Sequence, residues 1–428
     1  MRTEMKIAGV LVWAALAAAL IGGVAPAEAS SKQSRESPSS LLNRDTLTNN
    51  WFGAGGALVE HGLFIDLGVT HIYQHNLQSG LREDIGRHSG SYDLEIDVDL
   101  ERAVGLESTR LYVHGEGSWL ENEGLDPEAI GSIFGINADQ APDRSLDVTE
   151  LWLQRSFLRD KIQLRAGKLD LTGGFQCRGC PVTFDGNQFA NDETAQFLNG
   201  ALVNNPTIPF PDPGIAAIVH FNPVPWWYVG AGIGDAEADA RETGLNTAFD
   251  GDSKYVSLFE TGFVPRISSS KGGLSGAYRI GVWHENQSKS HLDGTGSKSE
   301  DTGVYLSAGQ MLWLENKVDD QGLGAFCRAG WADDKVNEVE HFASAGLRYK
   351  GLIPHRDEDT MGIGFAWGGL SEAADAEEPF ERVVEVYYQA RVTPWLNISP
   401  DLQVVSNPGG DEGSDDAVVA GVRVQLDI

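Results

Sequence analysis

The clearest regularity in the chain is a two-residue alternation of apolar and polar side chains. In SYDLEIDVDLERAV, residues 91–104, Tyr92, Leu94, Ile96, Val98 and Leu100 fall on one parity, and Asp93, Glu95, Asp97, Asp99 and Glu101 on the other. Successive side chains of a strand point to opposite faces, so this segment predicts a strand with one apolar and one acidic face. The pattern returns in TRLYVHGEGSWL, where Arg110, Tyr112, His114 and Glu116 oppose Leu111 and Val113. In KIQLRAGK, Lys161, Gln163 and Arg165 oppose Ile162, Leu164 and Ala166. In VVEVYYQARV, Glu385, Tyr387, Gln389 and Arg391 oppose Val384, Val386, Tyr388 and Ala390. The last segment, DAVVAGVRVQLDI, sets Val418, Ala420, Val422, Val424, Leu426 and Ile428 against Arg423, Gln425 and Asp427.

Less regular apolar segments lie between these, around 64–74, 146–155, 226–234, 302–313 and 360–368 among others; WWYVGAGIG has no polar face. Together they predict about sixteen strands, each near the ~9–11 residues that cross a bilayer at a tilt. The connections DGDS, SKSED, VDDQG and HRDEDT are short and acidic and predict turns. Strands at this spacing with no helix between them form a meander, the order of an up-and-down antiparallel β-barrel. The expected class is therefore all-β, a transmembrane barrel over residues 63–428.

Residues 171–213 break the rhythm. They show no alternation and are rich in Gly, Asn, Pro and Phe. A connection this long inside a compact domain is usually functional or disordered, and its aromatic content argues against disorder. In a barrel such a loop folds inward and narrows the pore. Phe184, Phe189, Asn191, Asp192, Glu193, Phe197 and Asn199 are its candidate constriction residues. The alternative is that the phenylalanines only tack the loop to the inner wall.

The first 29 residues read as a secretory signal peptide: Arg2 and Lys6 precede an apolar core, and Ala27-Glu28-Ala29 supplies the cleavage pattern. An uncleaved anchor is the alternative. Residues 30–62 form a polar lead-in with one short helix expected over 49–62. After residue 29 no apolar run is long enough to cross a bilayer as a helix. An exported chain of this kind is either soluble or a barrel.

Composition narrows the function. A net charge of −30 excludes binding to nucleic-acid phosphates, which needs clustered Lys and Arg. Cys177 and Cys180 form a CRGC pair without the four ligands a zinc site wants, so a local disulfide is the expectation and no metal or cofactor is expected. The chain carries no HExxH, no G-x-S-x-G and no phosphate loop, which argues against an enzyme.

Several motifs in order carry a family resemblance. The opening NNWFGAGGALVEHGLFIDLGVTHIYQHN, the pair TELWLQRSFLRDKIQLRAGKLDL, the loop NQFANDETAQFLNGALVNNPTIPFP and the closing RVTPWLNISPDLQVVSNPGG with DDAVVAGVRVQLDI resemble the carbohydrate-selective porins of the OprB family. The resemblance runs from about Trp51 to the C-terminus. It implies a sixteen-stranded outer-membrane barrel through which monosaccharides or small oligosaccharides diffuse without energy input; assembly as a monomer or as a homotrimer stays open. Sugars and outer-membrane lipid are the partners it implies.

A sugar offers hydroxyls all round and apolar C–H faces, so its pore needs charged hydrogen-bonding groups with a few aromatic surfaces, and weak binding. Asp93, Glu95, Asp97 and Asp99 are candidate acceptors. Arg110, Arg165, Arg391 and Arg423 are candidate donors, with His114 and Glu385 on the same polar faces. Each arginine has an alternative role as partner to an acid on a neighbouring strand. Arg348 is less readily assigned, because its strand is apolar on both faces. Trp119, Trp313, Trp331, Tyr349 and Trp367 at strand ends are candidates for aromatic girdles. The rival functions are a general porin, an exported soluble carbohydrate-binding protein and a β-rich glycoside hydrolase.

Overall fold

The computed structural model describes residues 41–172, 184–191, 196–249, 252–317, 319–374, 376–411 and 413–428. Sixteen antiparallel strands close into a barrel: β1 (Leu63–Gly80), β2 (Ile85–Asp99), β3 (Thr109–Leu120), β4 (Arg144–Phe157), β5 (Ile162–Leu169), β6 (Gly214–Val224), β7 (Trp227–Asp235), β8 (Tyr255–Phe263), β9 (Gly272–Glu285), β10 (Asp301–Leu314), β11 (Gly322–Trp331), β12 (Val339–Lys350), β13 (Thr360–Leu370), β14 (Phe380–Thr393), β15 (Leu396–Ser406) and β16 (Asp415–Asp427). Each strand pairs with its sequence neighbour, and β16 returns to β1 with Gly68 opposite Asp427 and His71 opposite Val424. Closure leaves no sheet edge unpaired, the condition for a sheet in lipid.

The alternation sets which side chains face out. On β4, Leu151 and Leu153 are about half exposed while Trp152 between them is buried. On β9 and β13, Ile280, Val282, Ile363 and Phe365 point outward in the same way. A continuous apolar band of this size marks a surface covered by something other than water, and in a closed barrel that is lipid. Among the described residues no helix is long and apolar enough to cross a membrane. The strands do the crossing.

The two ends of the barrel differ. One end carries tight turns, Leu158–Lys161, Pro225–Trp226 and Pro394–Trp395, together with Ile428. The other carries the long connections 121–143, 170–213, 236–254 and 286–300. Trp313 and Tyr349 sit at the short-turn end, 6.2 Å apart between ring centroids, and Trp119, Trp331 and Trp367 at the long-loop end.

Two local expectations change, and a third segment is strand for a different reason than alternation. The acidic strand ends at Asp99, not Val104, because the Asp99 carboxylate accepts from the backbone N–H groups of Glu101 and Arg102 and caps a single helical turn, Leu100–Val104. The lead-in holds two short turns, Asn49–Phe52 and Gly55–Glu60, broken at Gly53, which adopts φ 89°. The segment WWYVGAGIG is strand β7 despite lacking a polar face, because its inward positions are Tyr228 and glycines. A Cβ on Gly232 would meet Phe184 at 3.0 Å, and one on Gly234 would meet Leu171 at 2.7 Å. That strand's inner face is shaped to take the inserted loop rather than water.

Candidate channel and inward-folded loops

Two long connections enter the barrel, and backbone-to-wall hydrogen bonds fix both. In the described part of 170–213, Phe184, Phe189, Phe197, Leu198 and Leu202 are fully buried. Arg328 on β11 holds this loop from the wall. Its Nε lies 3.2 Å from Asp185 Oδ2, and its terminal nitrogens donate to the carbonyls of Leu202 (2.8 Å) and Ala190 (2.9 Å). Glu385 on β14 accepts from the N–H groups of Leu198 (2.8 Å) and Asn199 (2.9 Å). Arg423 on β16 donates to the Gln196 carbonyl at 2.6 Å, and the Asn199 amide donates to Gln403 at 3.1 Å. Charged groups on the wall thus satisfy loop backbone that would otherwise be buried without partners.

The second inward segment is 121–143, between β3 and β4. Leu125, Ala129, Ile130 and Ile136 are buried, and the Ile136 carbonyl accepts from both Gln74 and Gln403 at 2.9 Å. Glu381 accepts from the Ser132 hydroxyl (2.5 Å) and the Ile133 N–H (2.9 Å). Burial pushes the Asp126 carboxyl up to about 6 despite its bonds from the Ser132 and Ile136 N–H groups.

Below these loops, towards the short-turn end, lies a cavity of about 970 Å³. Its walls differ in charge. Asp66, Asp93, Glu95, Glu116 and Glu150 project from β1–β4. Arg348 and Lys350 project from β12 and Arg391 from β14. In the closed order β4 and β12 are eight strands apart, half the circumference. Among the described lining residues ten side chains are carboxylates and three are cationic, so this lining is strongly negative, with its cations gathered on β12 and β14. Cross-links order the acidic wall: Tyr112 donates to Glu95 (2.9 Å), His114 contacts Asp93 (3.2 Å) and the Thr149 hydroxyl (3.1 Å), and Trp152 donates to Glu150 (3.1 Å). Asp170, just past β5, donates its N–H to Glu150 at 3.2 Å, and burial with the nearby Glu150 charge pushes its carboxyl up to about 7.

The sequence profile of the carbohydrate-selective porins, OprB family, matches residues 84–427. The chain belongs to that family. It is 24% identical to Porin B of Pseudomonas aeruginosa over 423 residues, covering 90% of this chain and 91% of that protein. It is 21% identical to the putative porin QuiX of Acinetobacter baylyi, covering 90% and 93%. The solved high-pH structure of Pseudomonas putida OprB superposes with a TM-score of 0.79 at 21% identity, covering 91% of this chain and all of that one, which establishes the likeness of fold.

Set in this porin, the predicted wall residues divide into two groups. Asp93, Glu95, His114 and Arg391 line the cavity. Asp97 and Arg110 pair with each other across β2 and β3 below it, and Asp99 is spent on its helix cap. The Arg165 guanidinium lies 4.1 Å over the Trp152 ring and donates to Gln154 at 3.1 Å. Glu385 and Arg423 are fully buried on loop backbone and do not line this cavity. In the loop, Phe184, Phe189 and Phe197 lie against the wall, Asn191 accepts no cavity position, and Asn199 caps the turn Gly200–Val203. Asp192, Glu193, Cys177 and Cys180 lie outside the described residues. Sequence reasoning missed Asp66, Glu116, Glu150, Asp170, Lys350 and the whole 121–143 insertion. The signal for that insertion was present: Leu125, Ala129, Ile130, Phe134 and Ile136 stand without alternation in a connection that is otherwise polar.

Proposed function

We propose that this chain is an outer-membrane diffusion channel for small neutral sugars, with its short turns in the periplasm and its long loops outside. The observation that carries the reading is the cavity itself: a polar, two-signed chamber inside a barrel of the carbohydrate-selective family, roofed by two loops that the wall holds in place. Opposed carboxylates and guanidinium or ammonium groups offer a passing sugar acceptors on one side and donors on the other. Most of them are also bonded to protein, which keeps each contact weak enough for the solute to leave. The excess of carboxylates disfavours anions. The two loops set the narrowest section, so single sugar units pass faster than longer ones.

Swelling of proteoliposomes in isosmotic solutes tests this. Fast swelling in glucose, slower swelling in a trisaccharide and very slow swelling in gluconate are expected. Equal rates for glucose and gluconate would contradict the selectivity, leaving a general porin. No swelling in any solute, from protein that remains monodisperse without detergent, would return the chain to the soluble alternatives.

A further inference from the structure

We infer that Arg348 is the solute-binding donor of the cavity's positive wall, a subsite for a neutral polyol that presents two adjacent hydroxyls. The inference rests on the sugar-channel reading and names the side chain that makes the contact.

Among the described residues three Lys or Arg side chains line this cavity, and two are already engaged. Lys350 lies 2.7 Å from Asp320 and 3.2 Å from Glu358, and Arg391 lies 3.4 Å from Glu358. Arg348 differs: among the described residues its guanidinium makes no ion pair and no hydrogen bond, and its Nε is shielded from solvent. The fork therefore has donors to give, and the space before it is the cavity.

The strand register explains why it stays free. Arg348 stands between Gly324 on β11 and Gly362 on β13. Neither neighbour has a side chain to pair with it. Their places are taken by rings from further away. The Phe189 ring of the inserted loop covers Gly324, where a Cβ would sit 2.2 Å from it, and the Tyr387 ring covers Gly362, where a Cβ would sit 2.3 Å from it. Among the described residues the buried Tyr387 hydroxyl has no hydrogen-bond partner. Arg348 is thus a planar fork flanked by glycines on both neighbouring strands, under the inserted loop, with the carboxylates of β1–β4 five to eight strands away. A guanidinium of that geometry donates two parallel bonds to a pair of adjacent oxygens. A carboxylate solute would fit the fork, but ten wall carboxylates oppose its approach. A neutral solute with vicinal hydroxyls meets no such barrier.

Arg348→Lys and Arg348→Ala separate the fork from its charge. The full-length protein is refolded in detergent, and each variant's barrel is checked by its SDS-resistant mobility before boiling. Glucose binding is then read from sugar-induced noise in multichannel membranes, and ion selectivity from the reversal potential. Both variants are expected to bind glucose about five- to tenfold more weakly. The lysine variant should keep the wild-type reversal potential, and the alanine variant should become more cation-selective. Wild-type glucose binding in the lysine variant would overturn the fork, and in both variants the subsite. Tighter binding of gluconate than of glucose by the wild type would overturn the neutral-solute assignment. A wild-type channel that responds to no sugar would instead overturn the sugar-channel reading on which the inference stands.

Discussion

At the scale of single residues, the charged groups inside the barrel divide into those that hold the loops and those that face the cavity. Arg328 belongs to the first kind. It and Asp185 are both fully buried, and removing Arg328 takes away the stronger of the two positive charges acting on that carboxylate, Arg279 being the other. Arg328→Ala should destabilise the docked loop by about 3–5 kcal/mol, a typical cost for breaking a buried pair. Single-channel conductance should rise and become noisy; a quiet current of wild-type size would contradict the anchoring role. Asp170 belongs to the second kind. Its carboxyl is pushed up to about 7 by burial and by Glu150, so it is charged above that pH and neutral below it. The preference for cations should therefore weaken as pH falls from 8 to 6. Reversal potentials across a KCl gradient measure this, and Asp170→Asn should make the pH step smaller while resembling wild type at pH 6. An identical reversal potential at pH 8 and 6 in wild type would refute the assignment.

At the scale of elements, strands were legible in the sequence and the inward loops only partly so. Alternation is cleanest where one strand face meets lipid and the other meets polar groups, as over residues 92–99 of β2, 384–391 of β14 and 422–427 of β16. It fails on β7 and β13 because their inner faces meet loop side chains, so glycines stand where polar residues were sought. The candidate site was read from the strands with the cleanest patterns. That gave Asp93, Glu95, His114 and Arg391, which line the cavity. It also brought in Glu385 and Arg423, whose polar parity is equally clear but whose partners are loop backbone far away in sequence. Arg348 was less readily assigned because its strand carries apolar residues on both faces, Phe342 on one and Ala343, Ala345 and Leu347 on the other, while the small inward neighbours are what leave it room. The glycine cradle makes its own prediction. Gly324→Val would put side-chain atoms into the Phe189 ring and should lift that part of the loop, at about 1–3 kcal/mol for overpacking. The unboiled barrel should still resist SDS while conductance increases; unchanged conductance would show that Phe189 does not help set the pore width.

At the scale of the whole molecule, the closed order of sixteen strands sets the acidic strands β1–β4 and the cations of β12 and β14 around one cavity. The outer face is apolar, the inner face is charged, and the two long loops that enter the barrel are bonded to it by side chains from several distant strands. The net charge of −30 thus includes a strongly negative interior as well as acidic turns. The central claim is that this interior is a water-filled path on which a neutral sugar binds weakly as it passes. Single-channel recording of the refolded wild-type protein in a planar bilayer, titrated with glucose, tests it most directly. Stable cation-selective steps that glucose reduces in a saturable way are the predicted result. Steps of undiminished size at every glucose concentration, or no steps at all, would contradict it.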